Sequence, residues 1–220
     1  MERNSHSFAI GIPTLNRADL LAPSLVKYVS DFPDVKIYVL DNGNQDILLP
    51  KFPNDFCKNI EIIKSKKNIG VGPSWNILCR EIFKKHENAL ILNDDIYLGK
   101  TKNDIISLIN KKPNDFLTAT PDWCAFIVSK RIYDYVGPFD ECFFPAYYED
   151  NSYAYRMKLK GINHTKTPYL NPRDYRVSMT IEKDKSLFDY RTKNKQLYIE
   201  MWGGLPEREK FKKPFNKYGN

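Results

Sequence analysis

Hydrophobic residues along the chain fall into two patterns, short continuous runs and stripes at helical spacing. Runs over residues 7–12 (SFAIGI), 35–40 (VKIYVL), 60–63, 89–92 (ALIL), 116–118 and 124–128 (CAFIV) are strand-like. The run 89–92 lacks polar alternation, which predicts a strand covered on both faces, as in the middle of a parallel sheet. Helical stripes lie between the runs. Leu21, Leu25, Tyr28 and Val29 form one, with Asp19 as its expected cap and Pro23 in its first turn. Trp75, Leu78, Cys79, Ile82 and Phe83 form a second after the turn at 68–73. Ile105, Ile106, Leu108 and Ile109 form a third, starting near Asn103 or Asp104. Further helices are predicted over 131–136, from Glu149-Asp150 to about Lys160, and over 187–201, with breaks at Gly137-Pro138, Gly161 and Trp202-Gly203-Gly204. Residues 46–58, which include Pro50 and Pro53, read as irregular. This cadence predicts an α/β fold with a mostly parallel central sheet flanked by helices. No repeat or boundary interrupts it, so residues 1–220 are expected to form one domain.

Composition narrows the class. The hydrophobic fraction of 42% and the aromatic fraction of 14% are ample for a packed core. No apolar run approaches the ~20 residues that span a bilayer, so no transmembrane segment is expected. Residues 1–6 lack the layout of a signal peptide. Cys57, Cys79, Cys124 and Cys142 are widely separated and form no CxxC pair, which fits reduced thiols in a cytoplasmic protein. The net charge of +7 is weighted late, with ten Lys or Arg against six Asp or Glu over residues 182–220. Such an excess can face an anionic membrane surface, nucleic acid or a phosphorylated ligand, or simply be a solvated charged surface.

The candidate chemistry is acidic. Asn93-Asp94-Asp95 follows directly on the run 89–92, at the carboxyl end of a strand where open α/β sheets bind ligands. Adjacent carboxylates repel each other, and hard oxygen ligands suit Mg²⁺ or Mn²⁺, which often bring a diphosphate with them. A solvated acidic turn is the plain alternative. Glu149-Asp150 is a second pair, at a helix start and preceded by Phe143, Phe144, Tyr147 and Tyr148. Acids there can also serve only the helix dipole, with core aromatics behind them. The turn with Gly70 and Gly72 can offer backbone N–H groups to a phosphate or be a plain tight turn. His164 is open to a metal or diphosphate role and equally to a structural hydrogen bond.

Taken in order, residues 12–17 (IPTLNR), Asp41, Asn68-x-Gly70 with Asn76, Asn93-Asp94-Asp95 and Phe139-Asp140-Glu141 followed by Glu149-Asp150 resemble family 2 nucleotide-sugar glycosyltransferases. The resemblance covers roughly residues 8–165, and residues 202–216 resemble an ending of some short members. It implies a GT-A fold, a single Rossmann-like domain with a nucleotide-sugar-binding part over about 7–100, an acceptor part over about 101–180 and a basic helical tail over about 181–220. It assigns Pro13, Thr14, Asn16, Arg17, Asp41, Asn68, Gly70, Asn76, Asn93 and Asp94 to the donor side. Asp41 can accept a base N–H, or can stabilise its own Asn-Gly turn. Asn93-Asp94-Asp95 takes the place of the family's Asp-x-Asp metal motif, with an amide in place of the first acid. Asp95 is then the expected ligand for Mn²⁺ or Mg²⁺, with Asp94 as helper and His164 as a third candidate. Asp150, in preference to Glu149, is the implied base. The four aromatics before it would face a sugar ring, and Arg173, Arg176, Arg191 and Lys193 are candidates to close over the diphosphate.

The implied activity is metal-dependent inverting transfer of a sugar from a nucleoside diphosphate to a hydroxyl of a glycan acceptor. A modified base of DNA is the alternative acceptor, through the basic tail. A nucleotidyltransferase ranks below, because the turn at 13–17 has no glycine. A non-catalytic nucleotide-sugar-binding module is disfavoured by the presence of both acidic pairs.

Overall fold

The computed structural model describes residues 7–43, 45, 56–120, 123–175 and 186–216. Most of the stretch expected to be irregular, together with Asn44 and Arg176, lies outside them. The elements in order are β1 (Phe8–Thr14), α1 (Ala18–Asp31), β2 (Ile37–Asp41), β3 (Ile60–Lys64), α2 (Val71–Ile82), β4 (Asn88–Leu92), β5 (Ile96–Tyr97), α3 (Lys102–Lys111), β6 (Phe116–Thr118), β7 (Ala125–Ser129), α4 (Lys130–Val136), α5 (Glu149–Leu159), β8 (His164–Lys166), β9 (Asp174–Tyr175) and α6 (Ser186–Trp202).

Among the described residues, seven strands form one sheet in the order β3-β2-β1-β4-β7-β6-β8. β3, β2, β1 and β4 are parallel, and β7 runs antiparallel to both of its neighbours. β8 pairs parallel with β6, and β5 with β9 forms a separate two-stranded ribbon. The α/β fold with a mostly parallel sheet is the one the hydrophobic pattern predicts.

The continuous apolar runs exist because both faces of the sheet are covered. Phe8, Ile10 and Ile12 of β1 and Leu90 and Leu92 of β4 face α1 (Leu21, Leu25, Tyr28) and α3 (Ile105, Ile109). Ala9, Tyr38, Leu40, Ala89 and Ile91 face α2 (Trp75, Leu78, Cys79, Ile82) and residues of α4 and α5. Gly11 lets α2 lie this close, since a Cβ there would sit 3.2 Å from Leu78 Cβ and 3.3 Å from Ile82 Cδ1 of that helix, as well as 2.7 Å from Ile91 Cδ1 of β4. A third cluster joins α6 to α5 through Phe143, Tyr155, Tyr198, Met201 and Trp202. Beyond Trp202 the chain turns back: Phe215 N donates to the Met201 carbonyl (2.7 Å), and the Tyr155 hydroxyl to the Phe211 carbonyl (3.0 Å).

One helix start, that of α1, differs from expectation. α1 begins at Ala18, so Pro23 lies beyond the first turn and withholds one N–H from the helix ladder. Its N-cap, Arg17, makes no capping bond; the Gln45 side chain instead accepts from Ala18 N at 3.0 Å. α3 is capped by Thr101, whose hydroxyl and the Asp104 carboxylate form a capping box. Among the described residues no helix is long and apolar enough to cross a membrane.

Candidate active site

Parallel pairing brings three strand ends to one edge. Thr14 lies opposite Asp41 in the β1–β2 register, and β4 ends beside them at Leu92 and Asn93. Asn42, which no local sequence signal marks as a site residue, ties the turns together. Its Oδ1 accepts from Ile69 N (2.8 Å), and its Nδ2 donates to Asn68 Oδ1 (2.9 Å). Asn68 Oδ1 also accepts from Gly70 N at 2.9 Å. Gly70 has φ +89, and a Cβ there would sit 3.0 Å from the Pro145 carbonyl oxygen. Val71 N donates to that same oxygen at 2.8 Å. The N–H groups of Gly70 and Val71 are therefore committed within the protein, and the plain tight turn is what the structure shows rather than a phosphate cradle built from these two.

Asp41 is fully buried. One oxygen accepts from Gly43 N at 3.0 Å, stabilising its own turn, while Oδ2 has no hydrogen-bond partner. Arg17 binds Asp19 through Nε and an Nη, at 3.1 and 3.3 Å, and its Nη1 is buried without a partner. Arg17 lines the cavity described below, so its open donor is a group that a ligand can satisfy, whereas Asp41 does not line that cavity.

At the end of β4 the turn is held on both sides. Asn93 N donates to the Cys124 carbonyl (2.8 Å), and the Tyr28 hydroxyl to that of Ile96 (2.9 Å). Asp94 Oδ2 accepts a 2.6 Å bond from the Thr14 hydroxyl. Burial, with the Asp95 charge as a smaller contributor, pushes the Asp94 carboxyl up to about 7 against the opposing effects of Thr14 and Arg17. Asp95 is only 3% exposed and takes no part in the cavity wall, so the carboxylate presented to the cavity is that of Asp94.

Glu149 and Asp150 open α5, and the backbone before them is unusual. Tyr147 and Tyr148 both have φ +77, which costs about 1–2 kcal/mol for each residue carrying a Cβ. The Phe144-Pro145 peptide bond is cis. Glu149 is buried, and its Oε2 has no hydrogen-bond partner. Burial, and secondarily the charge of Asp150, raise the Glu149 carboxyl well above the usual carboxylate range. Asp150 is half-buried and accepts from Asn151 N at 2.7 Å. Of the four expected aromatics, Phe144 and Tyr147 line the cavity, whereas Phe143 and Tyr148 pack in the α5–α6 cluster.

One cavity of about 630 Å³ joins the two halves. Pro13, Thr14, Arg17, Asn68, Gly70, Asn93 and Asp94 line it on one side, and Glu149 and Asp150 on the other. Trp75 and Trp123, stacked with centroids 6.3 Å apart, form wall between them. Trp75 was legible only as a core residue of α2, because helical spacing does not distinguish a core face from a cavity wall. Leu187 and Tyr190 of α6 close the rim.

Several predicted residues are elsewhere. Asn76 is fully buried and saturated. Its Oδ1 accepts from Phe139 N (2.8 Å) and the Tyr133 hydroxyl (3.0 Å), and its Nδ2 donates to the Phe139 carbonyl (2.9 Å) and Glu141 (2.8 Å). It clamps α2 to the 139–141 loop and does not line the cavity. Asn16 is exposed at φ +54 against Gly43. His164 lies on β8, its Nε2 2.9 Å from the Thr118 hydroxyl and its ring against Phe116 and Trp123. Burial pushes His164 down to about 4, and it is not brought to Asp94. Arg191 stands over the Tyr147 ring, 5.9 Å from its centroid, and Arg173 packs against Gly99.

Among the described residues no three His, Cys, Asp or Glu side chains form a metal-holding group. A magnesium-type ion, however, is commonly held by one or two carboxylates with substrate phosphates and water completing its shell. Asp94, a carboxyl held near neutrality by burial beside a second acid, fits that partial donor set, with Asn93 as a neutral oxygen donor next to it.

No family profile matches this chain, and no curated protein matches it in sequence. Solved structures do match in fold. The mannosyltransferase PcManGT from Pyrobaculum calidifontis, in complex with GDP-Man and Mn²⁺, superposes with a TM-score of 0.59 at 13% identity, over 86% of this chain and 64% of that one. S. aureus TarS and its 1–349 fragment superpose with a TM-score of 0.55 at 16% identity, over 70% of this chain and 33% and 55% of theirs. The chain thus spans less than two thirds of the length of each. At these identities the likeness is one of fold, and the fold is the GT-A architecture.

Proposed function

We propose that this protein is a metal-dependent, inverting glycosyltransferase that moves a sugar from a nucleoside diphosphate to a hydroxyl of a glycan. The carrying observation is the single cavity into which the β1 and β4 strand ends and the α5 acids all open. The PcManGT complex holds a nucleotide sugar and Mn²⁺ on the same fold, which supports the reading. The nucleotide is assigned to the Thr14, Arg17, Asn42 and Asn68 side, where Arg17 Nη1 is an open donor. Asp94, with Asn93, would hold a divalent cation against the diphosphate, where it would offset negative charge on the leaving group.

The two α5 acids are unequal. Glu149 favours its neutral form, so it suits hydrogen-bond donation to a sugar hydroxyl. Asp150, less buried, is the base. It takes the proton from the acceptor hydroxyl as that oxygen attacks the anomeric carbon on the face opposite the diphosphate. The bond from that carbon to the phosphate oxygen breaks, and the diphosphate leaves with the electron pair. A positioned base of this kind contributes about 10²–10⁴-fold. The Trp75–Trp123 pair, Phe144 and Tyr147 give the sugar rings apolar faces to lie against.

The test is incubation with a panel of sugar nucleotides, Mn²⁺ or Mg²⁺, and simple glycan acceptors, reading released nucleoside diphosphate and product by mass spectrometry. One donor should yield product only with metal present. Turnover of no donor under any of these conditions overturns the proposal.

A further inference from the structure

We infer that Asn194 of α6 is a positioning residue that sets the α5 acids by holding the carbonyls of the loop before them. The inference rests on the reading of Asp150 as the base. Residues 144–148 lead directly into Glu149 and Asp150, and Tyr147 and Tyr148 adopt a left-handed backbone that residues with a Cβ avoid. Something outside the loop must over-determine it.

Asn194 is 2% exposed in the middle of α6, between the exposed Lys193 and Lys195. Its Nδ2 donates to the Ala146 carbonyl at 2.8 Å and to that of Phe144 at 3.2 Å. Both partners are acceptors, so the atom facing them must be the amide nitrogen. The carbonyl between them, that of Pro145, accepts from Val71 N on the opposite side. Three successive carbonyls are thus pinned alternately to α6 and α2, at the base of the turn that aims the acids. Tyr190 and Tyr198, one turn either side of Asn194 on the same face, meet Phe144 (6.0 Å) and Tyr148 (5.4 Å). Asn194 touches neither the cavity nor the acids, so it acts through the loop. The same loop meets Gly70 on the nucleotide side, which places the clamp between the two halves of the site.

Two variants test this. Asn194→Asp keeps the size but sets an acceptor against two carbonyls, and Asn194→Ala removes the donor should the Asp variant fail to fold. Gln196→Ala, on the exposed face of α6, is the control. The first readout is hydrogen exchange by mass spectrometry over residues 144–152, which needs no catalytic activity. The second is transfer kinetics. Exchange over 144–152 should accelerate in the Asn194 variants while β1 to β4 stay protected. kcat should fall by on the order of 10- to 100-fold, with KM for the donor within about twofold of wild type. The control should change neither. Unchanged exchange in a folded variant overturns the inference, as does faster exchange with kcat intact or a loss confined to donor KM. If wild type itself transfers no sugar, it is the proposed function that fails, and exchange alone still decides whether Asn194 holds the loop.

Discussion

Asp150 and Glu149 are neighbours in sequence with opposite chemical prospects, because one is half-buried and the other buried. Asp150→Asn should lower kcat about 10²–10⁴-fold, as expected for a lost general base, while nucleoside diphosphate affinity by calorimetry stays within about twofold. Glu149 makes a separate prediction. Its carboxyl is raised in the folded protein, so the folded state holds its proton over a pH range where the unfolded chain has released it. That contribution is complete below the unfolded value of about 4.3 and is lost as pH rises through the folded value. Glu149→Gln has nothing to titrate, so its melting temperature relative to wild type should climb from pH 5 toward pH 9. A flat difference would contradict the burial assigned to Glu149. Both acids were legible in the sequence because a helix start locates them. Asn42, Asn194 and the saturation of Asn76 were not, since each depends on a partner far away in the chain. Asn76→Ala accordingly should lose about 1–3 kcal/mol for each buried group left unpaired, measured by denaturant unfolding. It should leave nucleotide affinity unchanged where the variant is folded.

At the scale of elements, the longer strands are legible because their apolar runs are too short for helices and are bounded by turn residues. The start of α1 is less so. α1 is capped from outside by Gln45, 27 residues away in the chain, whereas α3 uses the local capping box of Thr101 and Asp104. β5, β8 and β9 are two or three residues long, too short for periodicity to show, and His164 fell on one of them. Gly70 and Gly161 test how the turns carry their load. Both have positive φ, but a Cβ at Gly161 meets nothing within 4 Å, whereas one at Gly70 presses on Pro145 O and Phe144. Gly161→Ala should therefore cost about 1–2 kcal/mol of stability, the backbone price alone. Gly70→Ala should cost more by denaturant unfolding and should also weaken nucleotide binding, because Asn42 and Asn68 share its turn.

For the molecule as a whole, chain order gave the sheet and the sheet gave the site. Parallel crossovers return each strand in the same direction, so polar residues after β1, β2 and β4 must gather at one edge, and that much followed from pattern alone. The bias between the β4 acids did not: Asp95 was the expected metal ligand, and the fold instead presents Asp94 to the cavity with Thr14 bound to it. Local sequence cannot tell which of two adjacent acids a turn will bury. The proposed function requires that this edge bind a nucleoside diphosphate through Asp94 and a divalent cation. The direct measurement is calorimetric titration of the protein with GDP, UDP, ADP and CDP, with Mn²⁺ and with chelator, repeated on Asp94→Asn. One nucleotide should bind wild type with Mn²⁺ and lose about tenfold or more in affinity with chelator or with Asp94→Asn, consistent with a lost charge-assisted contact. Absence of nucleotide binding in every condition, or binding indifferent to both metal and Asp94, would contradict it.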